Sequence, residues 1–94
     1  MKMIIAANHF LKVKKKGSKK LQLAIDEWVK AIVNDTDLGD EKKGDLKGIR
    51  VAKFNFGKHL YLLSYEVKDD TLFLYAVGSH ENYYKKLKRQ LKKK

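Results

Sequence analysis

After Gly48 the chain changes its hydrophobic period, and this change constrains the fold more than any other feature. Ile49 to Phe56, Leu60 to Val67 and Thr71 to Val77 are three runs rich in aromatic and branched residues. Such residues suit a pleated, half-buried surface. The runs are separated by Gly57-Lys58 and by Lys68-Asp69-Asp70. Connections this short join antiparallel neighbours, so the segment reads as a three-strand meander. In the second and third runs both side-chain parities are apolar: Leu60 and Leu62 against Tyr61, Leu63 and Tyr65, then Leu72, Leu74 and Ala76 against Phe73, Tyr75 and Val77. A sheet with one wet face alternates more cleanly. The second face therefore needs cover, from a C-terminal helix or from a partner protein.

Upstream the period is helical. Asn8 can cap a short helix carrying Phe10, Leu11 and Val13, with Gly17 ending it in a left-handed conformation. Ser18 can cap a second helix, in which Leu21, Ile25, Trp28, Val29 and Ile32 recur at three- and four-residue spacing and form one apolar stripe. The short connection favours an antiparallel pair, and Trp28 reads as a core anchor of the stripe. From Asn34 to Gly48 the chain is rich in Asp and Gly and reads as a solvated loop; its carboxylates lack the spacing of a calcium loop. Ser79 can cap a C-terminal helix in which Tyr83, Leu87 and Leu91 share a face amid lysines. A single α+β domain over residues 1–94 is expected: a helix pair packed on an antiparallel meander, to which a short N-terminal strand can be added, and a basic C-terminal helix.

Function classes narrow by exclusion. The chain has no cysteine, which removes disulfides and thiolate metal sites, and its three histidines show no zinc spacing. The apolar run Met3 to Ala7 is too short for a signal peptide, and no stretch reaches membrane-spanning length, so the expected compartment is the cytoplasm. Phosphate-binding loops, dinucleotide fingerprints and Ser-His-Asp arrangements are not visible, and neither metal nor cofactor is expected. A net charge of +11 favours polyanions. That charge is segregated: lysines gather at Lys12 to Lys20 and at Lys85 to Lys94, while most acids lie between Asp26 and Asp45. Nucleic acid is the first candidate partner.

The chemistry concentrates at Gly78-Ser79-His80-Glu81-Asn82-Tyr83-Tyr84. RNA cleavage by 2′-hydroxyl attack needs proton transfer and stabilisation of a charged phosphorane. Imidazole can move the proton near neutral pH, and lysine or arginine supplies the electrostatic part. His80 is the sharpest candidate. Tyr83 and Tyr84 point about 100° apart on a helix, so one belongs to the core and the other can stack on a base. Lys53 shares a strand face with Val51 and Asn55, whereas Arg50 has the opposite parity. Lys85, Lys86, Lys88 and Arg89 are candidate phosphate contacts.

The order of elements and these residues resemble the RelE/ParE superfamily of type II toxin-antitoxin toxins. The resemblance covers nearly the whole chain and rests on the basic helix pair, Lys43-Gly44-Asp45-Leu46-Lys47-Gly48, Arg50-Val51-Ala52-Lys53-Phe54, and above all the Gly78 to Tyr84 string leading into Leu87-Lys88-Arg89. It implies a cognate antitoxin and, in the RelE branch, metal-independent cleavage of messenger RNA in the ribosomal A site, which inhibits translation. It also implies that Lys53 matches a central-strand lysine, His80 the residue after the last strand, and Tyr83 or Tyr84 the nearby aromatic. RelE-like enzymes commonly carry an arginine in the strand written here Tyr61-Leu62-Leu63-Ser64-Tyr65, which has none; Arg50, Lys58 or His59 can supply charge from another position. Two alternatives stand beside this one: a ParE-like toxin that binds DNA gyrase and cleaves nothing, and a non-catalytic RNA-binding or degenerate toxin module.

Overall fold

A computed structural model describes residues 3–80. The elements are β1 (Met3–Ala6), α1 (Asn8–Lys16), α2 (Lys19–Asn34), β2 (Asp40–Glu41), a short 3₁₀ turn at Gly44–Leu46, β3 (Arg50–Phe56), β4 (His59–Lys68) and β5 (Thr71–Ser79). The five strands form one sheet in the order β1-β5-β4-β3-β2. The α+β class, the helix pair and the β3-β4-β5 meander agree with the sequence reading. The N-terminal strand is also present. It pairs parallel to β5, from Met3 opposite Thr71 to Ala6 opposite Leu74, so the sheet is mixed rather than wholly antiparallel. The expected C-terminal helix, with Tyr83 and Tyr84, lies outside the described residues.

Packing of the helices follows from the apolar stripe. Leu21, Ile25, Trp28 and Ile32 of α2 are buried with Phe10 of α1 against Ala52, Leu63, Tyr65, Leu72, Leu74 and Val77 of the sheet, while Val29 is only half-buried. Trp28 lies flat on Phe54, with ring centroids 4.9 Å apart and planes 5° from parallel, and meets Tyr61 at 5.6 Å. Ser18 caps α2, its hydroxyl accepting from the Leu21 N–H at 3.1 Å. The Lys14 ammonium pairs with Asp26 across the two helices.

Three local expectations change. Ala7, not Asn8, is the N-cap of α1, because Ala7 is still extended and its N–H donates to the Leu74 carbonyl; Asn8 is already helical. Gly17 is extended, with φ −72°, and its amide donates to the Val13 and Lys14 carbonyls. Space is what asks for glycine there, since a Cβ would stand 2.9 Å from Leu21 Cδ2. The Asn34 to Gly48 stretch is not simply a solvated loop. β2 pairs with β3, Asp40 opposite Val51, and the loop is pinned by Tyr65, whose hydroxyl accepts from Gly39 N–H and donates to the Thr36 carbonyl, both at 2.8 Å. A Cβ on Gly39 would come within 2.9 Å of the Val51 carbonyl carbon, so the loop can approach this closely only as glycine.

Tyr65 is therefore a cross-brace, and Tyr65→Phe is expected to cost about 1–3 kcal/mol by leaving the Gly39 amide and Thr36 carbonyl unpaired. Urea unfolding measures it; an unchanged midpoint would show that the loop finds other partners.

A bulge between Ser64 and Tyr65 decides how β5 ends. Tyr65 pairs with Leu74 but Ser64 with Ala76, so Tyr75 is the extra residue and the parity of β5 reverses beyond it. Val77 thereby joins Leu72 and Leu74 in the helix-facing core, the opposite of strict alternation. The second face carries Val51, Lys53, Leu62, Ser64 and Glu66, and of these Val51, Leu62 and Ser64 are buried.

Candidate functional site

The site is built at one end of the β4–β5 ladder. Tyr61 opposite Ser79 is its last rung, and His80 follows at once. On the other side the β3–β4 hairpin turns in two residues, Gly57 and Lys58, with Phe56 opposite His59. Gly57 has φ 61°, which glycine adopts without strain and which a two-residue hairpin requires at its first central position. A cleft of about 260 Å³ forms between these two ends, lined by Lys58, His59, Leu60, Ser79 and His80. That is just under the roughly 300–1,000 Å³ of small-molecule sites. Among the described residues no carboxylate lines it. Two imidazoles and an ammonium in one cleft can move protons and hold an anion.

The structure thus brings together three of the residues singled out above: Lys58, His59 and His80. Lys53 is exposed and does not line the cleft. It sits opposite Leu62 on the second face, one pair away from Asn55 opposite Leu60, so its face leads to the cleft through Leu60. Arg50 is elsewhere. It lies at the far end of β3, opposite Tyr65, where Nη1 donates to the Gly39 carbonyl at 2.7 Å and Nη2 lies 3.3 Å from Asp37 Oδ1. Its guanidinium anchors the loop there, apart from the cleft. Tyr83, Tyr84, Lys85, Lys86, Lys88 and Arg89 lie outside the described residues.

The sequence reading did not single out Ser79 and Leu60 as cleft walls, or a polar pair on the second face. Tyr75 donates to Glu66 Oε1 at 2.6 Å. The only signal for it was shared parity with Phe73, and the bulge obscures that signal. The hydrogen bond to Glu66, then burial, then the carboxylate's charge push the Tyr75 phenol above its ordinary value. Tyr65 is also raised, chiefly by burial, against the lowering effects of the Gly39 hydrogen bond and Arg50.

A raised folded value means that the folded state holds its proton longer than the unfolded chain. Stability from both phenols is fully present below about pH 10, the unfolded value, and is lost as pH rises through the folded values. Melting temperature is expected to fall above that point, and less steeply in Tyr75→Phe than in the parent; identical alkaline limbs would remove Tyr75 from the account.

Among the described residues no group of histidine, cysteine and carboxylate side chains could hold a metal ion, and no helix is long and apolar enough to cross a membrane. A family model, the ParE-like toxin of type II bacterial toxin-antitoxin systems, matches residues 4–88. The chain belongs to this family. The toxin also shares its fold with solved structures. The isolated RelE toxin of E. coli superposes with a TM-score of 0.64 at 18% identity, covering 93% of this chain and 96% of that one. A chain of the intact E. coli RelBE toxin-antitoxin complex gives 0.64 at 17% identity, with 81% and 93% covered. HP0892, a conserved hypothetical protein of Helicobacter pylori, gives 0.58 at 28% identity, with 86% and 97% covered. No curated protein matches the toxin's sequence.

Proposed function

We propose that the toxin is an endoribonuclease that cuts messenger RNA on the ribosome and so inhibits translation, and that a cognate antitoxin holds it inactive. The observation that carries this reading is the meeting of Lys58, His59 and His80 in one cleft at the end of the β4–β5 ladder. In the reaction, His80 accepts the 2′-hydroxyl proton and the 2′-oxygen attacks phosphorus; Lys58 stabilises the phosphorane. Lys53 meets the flanking phosphate along the second face, with Tyr83 or Tyr84 on a base and Lys85, Lys86, Lys88 and Arg89 on the backbone. The antitoxin reading is supported by family membership and by the RelBE complex, in which a chain of this fold is assembled with an antitoxin.

One observation favours a second reading, a toxin that binds DNA gyrase and cleaves nothing. Leu62, where RelE-like enzymes commonly carry an arginine, is 1% exposed and offers no charge to the second face. The two readings separate when the toxin is induced without antitoxin, with transcript ends mapped and supercoiling assayed in parallel. New 5′-hydroxyl ends with normal supercoiling are expected. Intact transcripts with poisoned gyrase would reverse the order.

A further inference from the structure

We propose that His59 is a second catalytic residue of the cleft, the general acid that protonates the departing 5′-oxygen. The proposal rests on the ribonuclease reading. Cleavage by 2′-hydroxyl attack moves two protons. One leaves the 2′-oxygen as its bond to phosphorus forms. As the phosphorus–5′-oxygen bond breaks, its electron pair goes to that oxygen, which needs the other proton to depart as an alcohol. The products are a 2′,3′-cyclic phosphate and a 5′-hydroxyl. Attacking and leaving oxygens lie on opposite sides of phosphorus in an in-line displacement, so one imidazole cannot serve both.

The cleft supplies a second one. Of the described residues lining it, Lys58, His59 and His80 bear ionisable side chains, and imidazole is the side chain type suited to passing protons in both directions. Lys58 offers an ammonium, which suits the phosphorane. The imidazoles come from separate elements: His59 opens β4 at the hairpin, and His80 follows β5. The Tyr61–Ser79 rung ties those strands together, and the Phe56–His59 pair fixes the start of β4, so both positions are set by ladder geometry rather than by a long loop. The other basic candidates in the described residues are less suited. Lys53 lies outside the cleft, and Arg50 is engaged with Gly39 and Asp37 at the far end of β3.

The test uses full-length toxin on ribosomes carrying a defined message whose scissile linkage has either its normal 5′-oxygen or a bridging 5′-sulfur. A thiol ionises near about pH 8.5, so a thiolate departs without a proton. Wild-type toxin is expected to cut both. His59→Ala and His59→Gln are expected to lose about 10²–10⁴-fold on the oxygen linkage and to cut the sulfur linkage at close to the wild-type rate. His80→Ala is expected to fail on both. His59 is exposed, so its variants should melt with the parent. His59 variants that cut the oxygen linkage normally, or that lose equally on both linkages, would overturn the assignment and leave the ribonuclease reading standing. A wild-type toxin that cuts neither message overturns both.

Discussion

Toxin carrying His80→Ala is expected to lose message cleavage by about 10²–10⁴-fold, the usual contribution of a positioned acid or base, and with it the ability to arrest growth. The loss should come without loss of the fold. His80 is exposed and lies beyond the last rung of the β4–β5 ladder, so its truncation removes no core volume. Substitutions at such positions usually change stability by less than about 0.5 kcal/mol. Growth after induction, transcript ends and a thermal melt are read on the same preparation. A folded His80→Ala toxin that still arrests growth by cutting message would remove His80 from the proton-transfer role.

Trp28→Ala should silence the toxin by the opposite route. Trp28 is only 9% exposed and spans the interface between α2 and the meander, flat on Phe54 and tilted against Tyr61. Truncating a buried aromatic to alanine costs about 3–5 kcal/mol through lost transfer energy and the cavity left behind. A domain of this size holds about 5–15 kcal/mol in all and sits toward the lower end. Each kcal/mol moves the melting temperature of such a chain by roughly 4–8 °C, so a fall of well over 10 °C is expected by circular dichroism. Trp28→Phe, which keeps a ring against Phe54, should lose much less. If Trp28→Ala melts with the parent, the helix–sheet interface is not where the stability lies. Together the two variants separate loss of chemistry from loss of fold.

The parts of this architecture that could be read from the sequence are those whose causes are local. Short turns dictated the meander, the spacing from Leu21 to Ile32 dictated the stripe of α2, and Ser18 was visible as its cap. What escaped depends on distant partners. The short N-terminal strand was legible but its parallel pairing with β5 was not, and β2 exists because β3 offers an edge and Tyr65 and Arg50 hold the loop against it. The bulge at Ser64/Tyr65 is the most consequential miss. Alternation alone placed Val77 opposite Leu74, and one extra residue at Tyr75 reversed everything after it, including the approach to His80. His59 was visible as a residue at a hairpin tip, but nothing in its neighbourhood in the chain showed that β5 would end beside it.

On the ribonuclease reading proposed above, the cleft between the β3–β4 hairpin and the end of β5 cuts RNA. Its most direct test is purified, antitoxin-free toxin incubated with ribosomes programmed with a defined message, the products resolved by length and by end chemistry. The expected result is a discrete cut leaving a 2′,3′-cyclic phosphate and a 5′-hydroxyl, lost in His80→Ala. Message that stays intact beside wild-type toxin, under conditions in which the same preparation arrests growth, would contradict the account.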